Sequence, residues 1–117
     1  MTTIKLDWDE KMSRKKFLCR LKGLMRRFRI DKAMVREFKT KKGKHIYIEV
    51  KGCFTAETIL LWQIFLWSDI EREFLNYKRI LDNIDLWNVL FQKKWNKNKV
   101  VSKEINEFEY LVQIGKD

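Results

Sequence analysis

One histidine, two cysteines and no proline in 117 residues leave little material for several common chemistries. Cys19 and Cys53 are too few and too far apart for a disulfide framework, and His45 alone beside them does not make a zinc cluster. Both thiols are expected to be reduced and packed. No Ser-His-Asp arrangement, Walker loop or Rossmann glycine pattern is present. No stretch reaches the roughly 18 consecutive apolar residues that a membrane span needs, and the first residues lack the apolar run of a signal peptide. The expectation is a soluble cytoplasmic chain without a membrane partner. Internal repeats and low-complexity tracts are also missing. The absence of proline, with abundant Lys, Glu and Ile, suits a thermophile or an AT-rich genome.

Acidic residues are missing from one long stretch: none falls between Lys11 and Ile30. Residues 1 to 51 carry 17 Lys and Arg against 6 acids, net +11, whereas residues 52 to 117 carry 9 against 10, net −1. The whole excess of +10 therefore sits in the first half, an electrostatic bias toward phosphate-bearing partners. The length fits one domain, 1–117, read as a core over 3–95 with a C-terminal appendage over 96–117.

Residues 3 to 9 alternate, with Ile4, Leu6 and Trp8 on one side and Lys5, Asp7 and Asp9 on the other, the period of a half-buried strand. From Ser13 the period changes to that of a helix: Phe17, Leu18, Leu21, Leu24, Met25 and Phe28 share a face, and Arg14, Lys15, Lys16, Arg20, Lys22, Arg26 and Arg27 fill most of the rest. A one-signed surface repels itself and calls for an anionic partner, although a solvated helix face is the plainer alternative. Strands over 33–39 and 44–51 are joined by Thr40, Lys41, Lys42 and Gly43, a hairpin with a basic tip. Thr55 is a candidate N-cap for a helix that is apolar almost all round from Ile59 to Trp67. Ser68 with Glu71 fits a capping box for a second helix through Ile70, Phe74, Tyr77 and Leu81 to about Asp82. Residues 86–95 read as a strand, and the last segment fits either a helix or a short strand over 110–114.

The order βαββαβ predicts an α+β fold: a ferredoxin-like, RRM-like sandwich with a four-stranded antiparallel sheet, two helices on one face and a C-terminal element. In that topology the first and third strands form the middle pair. Their outward faces then bring Asp7 and Asp9 beside His45, Tyr47 and Glu49, with Lys41, Lys42 and Lys44 nearby. The five tryptophans are mainly core by spacing, with Trp95 the most available for base stacking.

The succession of Asp7, Trp8 and Asp9 on a first strand, a helix, and a hairpin ending in Lys42, Gly43, Lys44, His45, Ile46 and Tyr47 resembles the archaeo-eukaryotic primase superfamily. The stretch from Trp67 to Arg79 is similar to small proteins of archaeal plasmids and viruses with this layout. The resemblance implies that Asp7 and Asp9 hold a divalent ion, Mg or Mn, and that His45 contacts phosphate. The superfamily's third acidic position has no clear counterpart, Asp69 and Asp85 being poor fits, and the chain is short for an active primase. A rival resemblance lies on the same strand: Glu49-Val50-Lys51 matches half of a PD-(D/E)xK nuclease motif, with Asp31 and Gln63 as companions. The paired acids equally fit a structural role at the sheet edge. The expectation is a small, non-catalytic nucleic-acid-binding module that uses Arg14, Lys15, Arg20, Arg26, Arg27, Lys41, Lys42, Lys44, His45 and Tyr47. The alternatives are a metal-dependent nuclease and a structural protein that pairs with a second copy through the apolar Ile59–Trp67 helix.

Overall fold

The computed structural model describes residues 1–8, 12–41, 43–88, 93–96, 99–103 and 105–115. The chain begins with β1 (Thr2–Trp8), whose alternation holds: Thr2, Ile4, Leu6 and Trp8 are buried, and Thr3, Lys5 and Asp7 lie on the opposite face. Ser13 caps α1 (Arg14–Arg27) by accepting from the Lys16 amide. The helix buries Phe17, Leu21, Leu24 and Met25 against the sheet, where they join Ile4, Leu6, Val35, Ile46, Ile48 and Trp62 in one core. β2 (Lys32–Lys39) and β3 (Lys44–Val50) form the hairpin, whose turn is closed by the Thr40 amide donating to the Gly43 carbonyl at 3.0 Å. Truncating Phe17 or Leu21 to Ala in such a core costs about 2 to 5 kcal/mol.

After β3 the chain reverses at Gly52, whose φ of +124° is open to glycine and strained for other residues. Thr55 caps α2 (Ala56–Phe65), as its sequence position suggests. The next helix, α3 (Ile70–Leu81), is capped by Asp69 and not by Ser68: the Asp69 carboxylate accepts from the Arg72 amide, and the Ser68 hydroxyl is used elsewhere. With four glycines in the chain, none stands where these helices end. Arg29, Trp67 and Asn83 take the left-handed conformation there (φ 56°, 63° and 57°) and close three Schellman motifs, such as Ile30 N to Met25 O at 2.8 Å.

The main sheet is antiparallel, four-stranded and ordered β1-β3-β2-β6. The fold is α+β with three helices, and β1 and β3 are neighbours as expected, in register from Thr2↔Val50 to Trp8↔Lys44. Two placements differ from the expected sandwich. β1 is an edge strand, so the middle pair is β3 and β2. The fourth strand is the C-terminal segment β6 (Ile105–Gln113), paired with β2 from Lys32↔Gln113 onward with a bulge at Glu37/Phe38. Phe108, Tyr110 and Val112 face Glu37, Val35 and Ala33 across that pairing, so the β2 edge offers the strand an apolar row to complete. Within the expected strand over 86–95, residues 86–88 are not strand and 89–92 lie outside the described residues. Lys93–Asn96 (β4) pairs instead with Lys99–Lys103 (β5) in a separate two-stranded sheet.

The helix α3 is inverted relative to the expected packing. Its polar residues Arg72, Glu73 and Asn76 are buried, while Ile70, Phe74, Tyr77 and Leu81 are exposed. The cysteines also depart from expectation, since both are free and exposed: Cys19 lies on the outer side of α1 and Cys53 in the loop before α2. Among the described residues no helix is long and apolar enough to cross a membrane.

Candidate nucleic-acid interface

The basic residues separate into two groups according to their neighbours. In one group the charge is consumed inside the fold. Arg14 donates from Nε and Nη2 to both oxygens of Glu37, at 3.0 and 2.9 Å. Lys44 reaches Glu37 at 2.8 Å and Glu107 at 2.7 Å. Glu37, 2% exposed, also accepts from the Tyr110 hydroxyl, and the Arg14 guanidinium stacks on the Phe108 ring. Burial alone would raise the Glu37 pKa, but the bonds from Arg14, Lys44 and Tyr110 outweigh it and hold the carboxyl at about 2. Burial raises the Tyr110 phenol, reinforced by its bond to the carboxylate. Arg20 donates to the Phe65 carbonyl at 2.8 Å and lies 3.9 Å from the centre of the Trp67 ring. These contacts tie α1 to the end of α2.

The other group faces solvent. Lys15, Lys22 and Arg26, with Cys19 between them, occupy successive turns of α1 along one ridge, and Lys16, Gly23 and Arg27 form a second ridge beside it. Lys15, Lys16, Arg26 and Arg27 are exposed and Lys22 is half-buried. Both ridges point away from the buried Phe17/Leu21/Leu24/Met25 face, and no acidic residue stands on the helix. Arg29, Lys32, Lys39 and Lys41 are exposed as well. Lys42 lies outside the described residues.

The outer face of the sheet differs from the open platform that alternation implies. His45 is 5% exposed, with Nε2 3.7 Å from Oδ1 of Asp7, its partner across the β1–β3 pairing. Tyr47 is half-buried and sets its ring edge-on to Phe38 at 5.2 Å. Arg36 bridges Glu49 at 2.8 Å and Glu109 at 3.4 Å. Asp9 lies outside the described residues, and no group of three or more His, Cys, Asp or Glu gathers among those described. The nuclease companions are spread out. Glu49 is opposite Met34, and Asp31 stands just before β2, three residues from Met34 and so about 10 Å away at strand spacing. Gln63 is buried at the β1 edge and donates to Glu73 at 2.6 Å. Trp8, Trp62 and Trp87 are core residues as expected, and the side chain of Trp95 is outside the described residues.

Two polar centres escaped the sequence reading. One is Glu37 with Arg14, Lys44 and Tyr110. The signal for it was available, because Glu37 shares the parity of Ala33 and Val35 and so is an acid at a core position. The other surrounds Glu73, which is 1% exposed and accepts from Gln63, Ser68, Arg72 and Asn76. Asn88 extends it by accepting from Arg72 at 2.8 Å and donating to Gln63 at 2.7 Å. Nothing in the periodicity marks this cluster, since the apolar stripe of α3 directs a reader to the opposite face. No protein-family model, curated protein or solved structure matches this chain.

Proposed function

We propose that this chain binds nucleic acid through the phosphate backbone, on the outer face of α1, and without catalysis. The observation that carries the reading is the charge on that face. Lys15, Lys16, Lys22, Arg26 and Arg27 project from two adjacent ridges of one helix that bears no acid, while Arg14, Arg20 and Lys44 are engaged within the fold. A rigid, one-signed surface of this kind is electrostatically complementary to closely spaced phosphates. The arrangement favours backbone contact over base readout, so the binding is tolerant of sequence. Arg29 and the hairpin residues Lys39 and Lys41 extend the positive surface.

The neighbouring antiparallel β1 and β3 support reading β1-α1-β2-β3 as the RRM-like portion of the fold, completed by a strand from the C-terminal segment. In this reading the helix, and not the sheet face with Tyr47, is the binding surface, and no Mg or Mn at Asp7 and Asp9 is needed for it. The test is fluorescence anisotropy with labelled single-stranded DNA, duplex DNA and RNA over a range of salt. Binding that weakens steeply with salt and is lost when Arg26 and Arg27 are replaced by Ala supports the reading. Absence of binding at 50 mM salt, or binding indifferent to those replacements, overturns it.

A further inference from the structure

The exposed stripe on α3 is the most demanding surface of the molecule. Ile70, Phe74, Tyr77 and Leu81 are 64%, 58%, 46% and 61% exposed. Their spacing of four, three and four residues is the a/d seam that a helix presents to another helix. Leu75 lines a shallow depression with Ile70 and Phe74, on the far side of Glu71, and Ile64 of α2 lines a separate cleft with Ile70. An amphipathic helix ordinarily turns such a stripe inward. Here the inward face is taken by Arg72, Glu73 and Asn76, so the stripe has no cover among the described residues.

We infer that the stripe is the interface of a two-fold symmetric dimer in which α3 packs antiparallel against α3 of a second copy. Charge selects this occupant. Glu71 and Lys78 are both exposed and flank the seam on the same side, seven residues apart. In an antiparallel pair the same flank of each helix meets its counterpart, so Glu71 of each chain lies opposite Lys78 of the other, and the symmetry makes two such pairs. A parallel pairing would place the Glu71 and Lys78 flanks of the two helices on opposite sides of the seam, where these charges do not meet. The area also suits a second copy. Ile70, Phe74, Tyr77 and Leu81, with Ile64 next to Ile70, are each close to half exposed or more and offer on the order of 100 Å² apiece, given that a fully buried aromatic covers roughly 150 to 250 Å². The total approaches the apolar two-thirds of the roughly 800 Å² that each partner contributes to a standard interface. In addition, Phe74 and Tyr77 lie on either side of the two-fold axis, so Phe74 of each chain packs near Tyr77 of the other close to the centre, where aromatic anchors contribute most. This inference does not depend on nucleic-acid binding.

The test is sedimentation equilibrium of the full chain from 1 to 100 µM. A mass of two chains is expected, falling to one chain for Phe74→Glu with an unchanged circular dichroism spectrum, because Phe74 is on the surface. E71K alone and K78E alone set like charges opposite one another and should each weaken dimerisation roughly three- to ten-fold. The E71K/K78E double variant restores complementarity and should return to within about two-fold of the parent. A single-chain mass at 100 µM, a dimer that survives Phe74→Glu, or a double variant no tighter than the singles would overturn the inference. A monomer that floats with phospholipid vesicles would assign the stripe to a lipid surface instead and equally overturn it.

Discussion

Replacing Glu37 by Gln probes a buried carboxylate held well below its ordinary range. The side chain is 2% exposed, accepts from Arg14, Lys44 and Tyr110, and titrates at about 2 against an ordinary 4.5. Because the folded pKa is depressed, the carboxylate stabilises the protein above pH 4.5, and that stabilisation is lost as pH falls from 4.5 through 2. A depression of that size corresponds to roughly 3 kcal/mol at pH 7, and to between about 1 and 2 kcal/mol at pH 3. Arg14 and Lys44 are 45% and 29% exposed, so water takes over part of their interaction when the charge is removed, and about 2 to 3 kcal/mol at pH 7 is the expected cost. The amide retains the shape of the carboxyl, so the loss reports charge and not a cavity. Urea unfolding followed by tryptophan fluorescence at pH 7, 5, 4 and 3 measures it without adding salt. The gap between Glu37→Gln and the parent should narrow by more than half between pH 5 and pH 3. A gap independent of pH, or one under 0.5 kcal/mol at pH 7, would show that the ion cluster does not hold the β2–β3–β6 end of the sheet in this way.

Glu73→Ala leaves the 9%-exposed Arg72 without its carboxylate and should cost about 3 to 5 kcal/mol by the same urea assay, whereas Glu73→Gln should cost less by keeping the hydrogen bonds. Arg29→Gly should raise the melting temperature by calorimetry. It removes a left-handed penalty of about 1 to 2 kcal/mol at the cost of about 0.4 to 1 kcal/mol of unfolded-chain entropy. For single-stranded DNA held by 4 to 6 phosphate contacts, log K against log salt should have a slope of roughly −3 to −4, and Arg26→Ala should make it shallower by roughly 0.7 to 1. In contrast, Arg14→Ala should act mainly on stability, because Arg14 is committed to Glu37.

What was legible in the sequence is what local periodicity controls. The alternation in Ile4, Leu6 and Trp8, the change to helical spacing from Ser13 onward, and the cap at Thr55 each depend on neighbours within a turn or a strand, and each is found. The strand order was not legible in the same way. Residues 105–113 alternate too weakly to separate strand from helix on their own, and their pairing with β2 is decided by a row that lies some 70 residues away in sequence. The candidate site suffered the same limit. Counting Arg14, Arg20 and Lys44 with Lys15, Arg26 and Arg27 treats every basic residue as available. Whether one is engaged depends on a distant acid, as Glu37 is for Arg14, or a distant aromatic, as Trp67 is for Arg20.

The inversion of α3 has a cause in the topology. Once β6 has joined the β2 side, β1 is left as an edge with outward-pointing backbone groups, and an uncovered edge invites pairing with another chain. Here the groups of Lys5 and Asp7 are met one by one. The Lys5 amide donates to Gln63 Oε1 at 3.1 Å, and the Asp7 amide donates to Ser68 Oγ at 3.0 Å. The Lys5 carbonyl accepts from Arg72 at 3.0 Å, and the Asp7 carbonyl accepts from the Asp69 amide at 2.6 Å. Side chains from the α2–α3 junction thus take the place of a neighbouring strand, and Glu73 holds Gln63, Ser68 and Arg72 in position. A helix that must present polar groups to a strand edge cannot also present its apolar stripe there. Closing the edge against non-specific strand pairing therefore turns Ile70, Phe74, Tyr77 and Leu81 outward, where an antiparallel pair of helices can bury them.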